Sequence, residues 1–237
     1  MSLQDRDFFL TIEHPCAYFD DRICQNVVPD PKIAMQAEAY DQLAIIGFRR
    51  SGDHVYRPHC PNCSDCVPCR IQVASFKPSR SQRRCLKQNS DLSCEPAAAE
   101  FTDEYFQLYK KYLNLRHSDG DMKDPSADDY KNFLVCDWSQ SQFLVIRKDQ
   151  QLLAVAVMDK VANGYSAVYT FYDPEHSQRG LGIFAILQQI EYCRQQRMPF
   201  LYLGYWINQH PKMHYKASFD SVELFKDNHW QRKENVD

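Results

Sequence analysis

Four cysteines, Cys60, Cys63, Cys66 and Cys69, recur at a strict three-residue spacing inside the stretch 56–87. Thiolates two residues apart can chelate one metal, so this spacing suits a zinc ion or an iron–sulfur cluster; the alternative is a set of reduced, half-buried thiols in a small subdomain. His14 and His59 are adjacent alternative ligands, whereas Cys85, Cys94, Cys136 and Cys193 have no spacing partners and read as structural. The cysteines run into a basic segment. Residues 70–89 hold Arg70, Lys77, Arg80, Arg83, Arg84 and Lys87 and no acidic residue, in a chain whose net charge is −3. The basic run is therefore a local feature and points to contact with a polyanion, the other reading being a solvated surface. A third signal is the G-x-G of Gly180 and Gly182 before an apolar helix, which can bring backbone N–H groups up to an anion.

The elements that must position these residues follow from their flanks. Asp30 and Pro31 are expected to open a helix with the stripe Met35, Ala39, Leu43 and Ile46, closed by Gly47. Phe48, Val55 and Tyr56 flank a Ser-Gly-Asp turn and predict a hairpin leading into the cysteines. Residues 70–76 alternate as a strand, which Lys77 and Pro78 break before a basic helix over 79–87. Pro96 and the following alanines read as a hand-over to a second half. Thr102 caps a helix with Tyr105, Leu108, Tyr109, Tyr112 and Leu113 at core spacing, and Ser126 with Asp129 forms a capping box for a shorter one. From Phe143 onward three strands follow, with a turn at Asn163 and Gly164 between the last two, then the glycine loop, a helix over 183–196, a buried strand over 200–206 and a short strand over 222–225.

Composition sets the class. Hydrophobic residues make up 44% and charged residues 25%, as in an ordinary globular protein. The first residues lack a cationic start followed by an apolar stretch, and the longest aliphatic run, 152–158, is too short to cross a bilayer. With ten cysteines and no export signal, a reducing cytoplasm is the expected location, with no membrane partner. The expected fold class is α+β, with a cysteine-rich, basic N-terminal α/β subdomain over 1–95 and a catalytic domain over 96–237.

An antiparallel meander entering a strand–loop–helix–strand unit resembles the acyltransferase fold of the GCN5-related N-acetyltransferases. In that family an Arg or Gln three residues before the first glycine helps to cradle the coenzyme A pyrophosphate. Here the position is Ser177, which argues for another phosphate-bearing acyl carrier.

Four segments carry a more specific resemblance: GFRRSG with YRPHC, CVPCRI and FKPSRSQRR; LYKKYLNLRHSDGDM; FYDPEHSQRGLG; and YLGYWINQHPKMHYKASF. In order and over essentially the whole chain, they are similar to the arginyl-tRNA–protein transferase family, and most to its bacterial aspartate/glutamate leucyltransferase members. The resemblance implies transfer of leucine from leucyl-tRNA to the α-amine of proteins beginning with Asp or Glu, marking them for N-degron proteolysis, with no cofactor required. Eukaryotic relatives have an early C-x-x-C and a later cysteine pair implicated in an iron–sulfur cluster. Cys16 keeps the first position but Phe19 takes the second, leaving Cys16, Cys60, Cys63 and Cys66 as the candidate set for zinc or a cluster.

On this reading the scissile carbonyl lies where two parallel strands splay, near Tyr172 and Asp173 and near Gly204 and Trp206. Asp173 is the candidate base or amine-positioning carboxylate, and Tyr215 and Lys216 the candidate donors or charge stabilisers. Arg49, Arg50 and Arg116, with Lys216, are candidate cations for the acceptor's acidic side chain, and His117 a candidate proton shuttle beside them. Lys77, Arg80, Arg83, Arg84 and Lys87, with Gly180 and Gly182, are expected against the tRNA. Three alternatives stay open: arginine as donor, an acetyl-coenzyme A-dependent N-acetyltransferase, and a non-enzymatic, metal-braced RNA-binding module.

Overall fold

The computed structural model describes residues 7–116 and 123–233. Its N-terminal part contributes β1 (Phe8–Leu10), β2 (His14–Pro15), β3 (Ile23–Cys24), β4 (Asn26–Pro29), helix α1 (Ala37–Ile45), β5 (Arg49–Ser51) and β6 (His54–Pro58). Four of these strands form an antiparallel sheet in the order β1-β4-β6-β5, and β2 with β3 makes a separate hairpin. Helix α1 starts six residues later than Asp30 and Pro31 suggested. Asp30 Oδ1 instead accepts from Lys32 N at 2.9 Å and closes a turn. The helix ends as expected, with Gly47 N donating to Ala44 O and Phe48 N to Leu43 O.

The remaining elements are β7 (Val67–Gln72), α2 (Arg80–Gln88), β8 (Ser93–Ala98), α3 (Asp103–Arg116), α4 (Ala127–Leu134), β9 (Gln140–Lys148), β10 (Gln151–Val161), β11 (Gly164–Tyr172), α5 (Leu181–Gln195), β12 (Phe200–Trp206), α6 (Pro211–His214), β13 (Val222–Lys226) and β14 (His229–Arg232). Their strands build one mixed eight-stranded sheet, ordered β14-β13-β7-β12-β11-β10-β9-β8, in which β11 and β12 alone run parallel. Strand β7, from before residue 95, pairs with β12 and β13 from after it: Ile71 faces both Leu201 and Val222. The segment around Pro96 is not a linker but β8, the sheet's outer strand, where a residue without an N–H is tolerated.

Helices cover both faces of this sheet, which is why β10 reads as an uninterrupted apolar run. Ala154, Ala156 and Met158 face α5 with Phe184, Leu187 and Ile190, while Val155 and Val157 face α3 and α4 with Tyr109, Leu113 and Tyr130. A third cluster, with Tyr40, Leu43, Phe48, Val161 and Tyr202, seats α1 and the β5–β6 hairpin on the sheet. The capping boxes at Ser79 and Ser126 are both formed, so α2 and α4 start where their side chains first satisfy free N–H groups. None of the described helices is long and apolar enough to cross a membrane.

Candidate active site

Strands β11 and β12 are parallel, yet they pair only at Gly164↔Phe200, Tyr165↔Leu201 and Ser166↔Tyr202. Beyond this point β11 stays with β10 as far as Tyr172, and β12 stays with β7 as far as Trp206. The two strands therefore part toward their C-terminal ends and leave a V-shaped opening. Tyr172 and Asp173 stand on one side of it, and Gly204, Tyr205 and Trp206 on the other. Gly204 sits beside a bulge with φ of +80°, a conformation that side chains disfavour. A Cβ there would lie 3.8 Å from Lys216 Nζ, so the bare glycine keeps the wall of the opening thin beside that ammonium group.

On the β11 side, Asp173 is buried and already engaged. Its Oδ1 accepts from Glu175 N at 3.1 Å, starting a 3-10 turn over Pro174–Arg179, and pairs with Lys111 Nζ at 2.8 Å. His176 Nδ1 lies 3.4 Å from the other oxygen. Burial alone would push the carboxyl pKa up, but Lys111 and the Glu175 amide outweigh it and hold the group below the usual carboxylate value. Asp173 is thus a persistent anion, better suited to holding an ammonium group than to taking its proton. Lys111 has no signal in the sequence, because on α3 it looks like any outward lysine and it meets Asp173 only through the fold.

On the β12 side, Tyr215 and Lys216 follow α6 in a short 3-10 turn. Tyr215 is 36% exposed. Burial, with Cys69 and Tyr112 nearby, pushes that phenol up to about 12, so it stays protonated and able to donate. Lys216 is buried, donating to Tyr205 O at 2.8 Å. Burial first, and Arg49 in addition, lower its pKa. Among the described contacts none bridges Asp173 to Tyr215 or Lys216; the opening lies between them.

The four candidates for the acceptor's acidic side chain separate sharply. Arg50 is consumed by structure: its Nε and Nη2 grip Asp159 at 2.5 and 2.9 Å, both side chains fully buried, and Ser141 joins the pair. Arg49, one residue away on the opposite face of β5, lies over the Tyr202 ring at 5.0 Å and belongs to the β12 side. Arg116 is exposed at the end of α3, close enough to Tyr112 to oppose the upward push of burial and Tyr172 on that phenol. His117 lies outside the described residues.

The candidate tRNA contacts share one surface. Lys77, Arg80, Arg83, Arg84 and Lys87 are all exposed, on or just before α2. Helix α2 lies against the start of α5, where Gly180, in a left-handed conformation, caps the helix and Gly182 sits beneath the Tyr172 ring. Between them is a cleft of about 240 Å³ lined by Ser81, Arg84, Gln88, Gln178, Gly180 and Ser218 among others. A clamp unseen in the sequence holds it: Asn89 Nδ2 donates to Arg179 O at 2.8 Å, and Arg179 forks onto Asp91 with two bonds of 2.9 Å. Arg70 takes no part, since it pairs with Glu223 at 2.6 Å between the rings of Phe200 and Trp230.

The β2–β3 hairpin and the loop after β6 bring cysteines together, and burial, then the neighbouring Cys60, push the thiol of Cys24, on β3, up to about 11. Burial, and then Cys60, Cys16, Cys63 and Cys24, push the Cys66 thiol up to about 12. Thiols that raise one another's pKa are neighbours, but Arg22 Nη1 lies 3.3 Å from Cys63 Sγ and 2.6 Å from Asp65 and occupies that donor. Among the described residues no group of three or more His, Cys, Asp or Glu side chains is arranged to hold a metal ion. Cys69 is apart from the set, buried in the main core.

The structure thus combines a sheet parted between β11 and β12, buried basic side chains on the β12 side, and an exposed basic face leading to the start of α5. The family model "Arginine-tRNA-protein transferase, N terminus" matches residues 14–84, and "Arginine-tRNA-protein transferase, C terminus" matches 104–226. Proteins named aspartate/glutamate leucyltransferase are similar along nearly their whole length: that of Alcanivorax borkumensis is 46% identical over 95% of this chain and 93% of its own, and that of Pseudomonas fluorescens 49% identical over 94% and 95%. The chain belongs to the arginine-tRNA–protein transferase family. Among solved structures, the crystal structure of FemX is similar with a TM-score of 0.48 and 9% identity over 89% of this chain and 82% of that one, too remote to speak to chemistry.

Proposed function

We propose that this protein transfers leucine from leucyl-tRNA to the α-amine of proteins beginning with Asp or Glu, on an acyltransferase fold of the GCN5-related N-acetyltransferase type. The observation that carries the reading is the near full-length similarity to proteins named aspartate/glutamate leucyltransferase. The splayed β11–β12 pair with α5 beginning beside it supports the acyltransferase geometry. Arginine as donor is disfavoured by the names of those relatives. Acetyl-coenzyme A is disfavoured by Ser177 at the pyrophosphate-contact position.

The chemistry asks for little activation. An aminoacyl ester already carries a good leaving group, so holding the amine against its carbonyl supplies much of the rate. An α-amine has a pKa near 7.7–8.0, so a useful fraction is neutral at physiological pH. The anionic Asp173, kept ionised by Lys111, attracts and orients the incoming amine at the β11 edge. Tyr215, protonated at neutral pH, is placed to donate to the tetrahedral oxyanion or to the departing ribose oxygen. The start of α5 at Gly180 and Gly182 takes the terminal phosphates, and α2 with Lys77, Arg80, Arg83, Arg84 and Lys87 takes the acceptor stem. No cofactor enters this scheme.

The test is transfer of labelled leucine from leucyl-tRNA into a peptide beginning with Asp, with uncharged tRNA plus free leucine, and acetyl-coenzyme A, as parallel donors. Label should enter the peptide from leucyl-tRNA alone. Binding of charged and uncharged tRNA without any transfer would instead describe an RNA-binding module.

A further inference from the structure

The fold buries two basic side chains, Arg49 and Lys216, that no acidic side chain pairs with among the described residues. Arg49 is 4% exposed. Its Nη1 donates to Ala44 O at 3.0 Å and Phe48 O at 2.5 Å, but Nε and Nη2 are buried without a partner. Lys216 is 8% exposed and spends one proton on Tyr205 O, with Met213 Sδ 3.6 Å from the same nitrogen. The two charges are near enough that Arg49 acts on the titration of Lys216. The groups around them are neutral at physiological pH: the phenols of Tyr40, Tyr56 and Tyr205 and the thiols of Cys66 and Cys69 are all raised, burial being the first cause in each. A buried charge left unpaired is costly, so the partnerless nitrogens of Arg49, with the Lys216 amine near them, suit an anion from outside the chain. Arg50 shows the contrast, since its partner Asp159 comes with the fold. Through Gly204, Lys216 borders the opening between β11 and β12.

We propose that Arg49 and Lys216 together bind the side-chain carboxylate of the acceptor's N-terminal Asp or Glu. The two unpaired nitrogens of Arg49 form a planar edge that a carboxylate can meet with two parallel hydrogen bonds, and Lys216 adds a point charge. The pocket then selects acidic residues by rejection as well as attraction. An Asn or Gln side chain of the same shape would leave both cations unpaired, and a site built around such groups discriminates strongly against isosteres that cannot satisfy them. The leucyl ester has no free carboxylate to compete. A tRNA phosphate is the other anion within reach. This inference rests on the acceptor class proposed above.

The experiment compares peptides that differ only in a first residue of Asp or Asn, with leucyl-tRNA as donor, for wild type, Arg49→Gln, Arg49→Lys and Lys216→Met. Arg49→Gln should lower kcat/KM for the Asp peptide by roughly 100-fold, mainly through KM, the size expected for removing one partner of a buried charge pair. The Asp-over-Asn preference should collapse, Arg49→Lys should recover part of it, and the Kd for leucyl-tRNA should stay within about twofold of wild type, since the carrier's phosphates bind elsewhere. A folded Arg49→Gln protein that keeps the wild-type Asp-over-Asn preference overturns the proposal. So does a loss that falls on leucyl-tRNA binding, which would assign the pocket to a phosphate. Should the variants not fold, the unmodified protein with 13C-methyl methionine gives the answer: the Met213 signal should move on adding the Asp peptide and not the Asn peptide, and an unmoved signal overturns the proposal. A wild-type protein that transfers no leucine would strike the functional reading instead, and the Met213 titration would still decide the pocket.

Discussion

Arg49 and Arg50 are the same residue type, adjacent on one strand and indistinguishable as letters. Because successive residues on β5 point to opposite sides, Arg50 reaches the buried Asp159 on β10 while Arg49 turns toward Tyr202 and Lys216. Removing one partner of such a buried pair leaves an uncompensated charge. Arg50→Ala should therefore destabilise the protein by about 3–5 kcal/mol in denaturant unfolding, and replacing Arg50 and Asp159 together with apolar residues should cost less. Asp173 makes a pH-dependent prediction. Its folded-state pKa is depressed, so its stabilising contribution is present above the unfolded value of ~3.9 and fades as pH falls through the lower folded value. Asp173→Asn should lower Tm at pH 7, the gap to wild type closing in acid; a gap independent of pH would contradict the ion pair with Lys111. Sequence reasoning could nominate Asp173, Arg49 and Lys216 from residue type. It could not separate Arg49 from Arg50, nor find Lys111, because those facts depend on which distant side chain arrives opposite.

Elements were legible where local physics decides them. The Ser126–Asp129 capping box, the Thr102 cap, the hairpins and β12 follow from residues within a few positions of one another, whereas the box at Ser79 and Gln82 was not expected. Boundaries moved where long-range pairing decides. Strand β7 begins at Val67, three residues before the expected strand, because Trp206 pairs with it there, and it ends at Gln72, leaving Val73 and Phe76 in a turn. The β8 segment, poor in β-formers, became a strand because β9 offered it an edge. At this scale α2 makes the sharpest prediction. Its four exposed cations, and Lys77 just before it, have no carboxylate partners among the described ion pairs. Replacing Arg80, Arg83 and Arg84 with Gln should weaken leucyl-tRNA binding and flatten its dependence on salt, by about one unit of log–log slope for each phosphate that is no longer neutralised. A slope unchanged in the triple variant would remove α2 from the tRNA surface. Gly204→Ala carries the strain of a positive φ, on the order of 1–2 kcal/mol, and sets a methyl in van der Waals contact with Lys216 Nζ; lower stability together with slower transfer is expected.

The whole molecule joins two halves through one sheet. The N-terminal part supplies β7, which lies between β12 and β13, as well as Arg49 and the cysteine loop before β7, whose Cys66 lies near Lys216. The proposed acceptor site, Arg49 with Lys216, and the proposed carrier surface, α2 with the start of α5, each draw on both halves of the chain. Of the cysteines whose spacing suggests a metal-braced loop, Cys66 and Cys69 lie near Lys216, while the basic helix that follows them is exposed. The central claim is transfer of leucine, from its tRNA, to an acidic N-terminus. It is tested most directly by offering the purified full-length protein separately charged leucyl-tRNA and arginyl-tRNA with matched peptides beginning with Asp, Glu, Asn or Ala, and measuring initial rates of peptide extension. The account predicts extension of the Asp and Glu peptides with leucine and little of the others. Efficient extension with arginine and not leucine, or extension indifferent to the first residue, would contradict it.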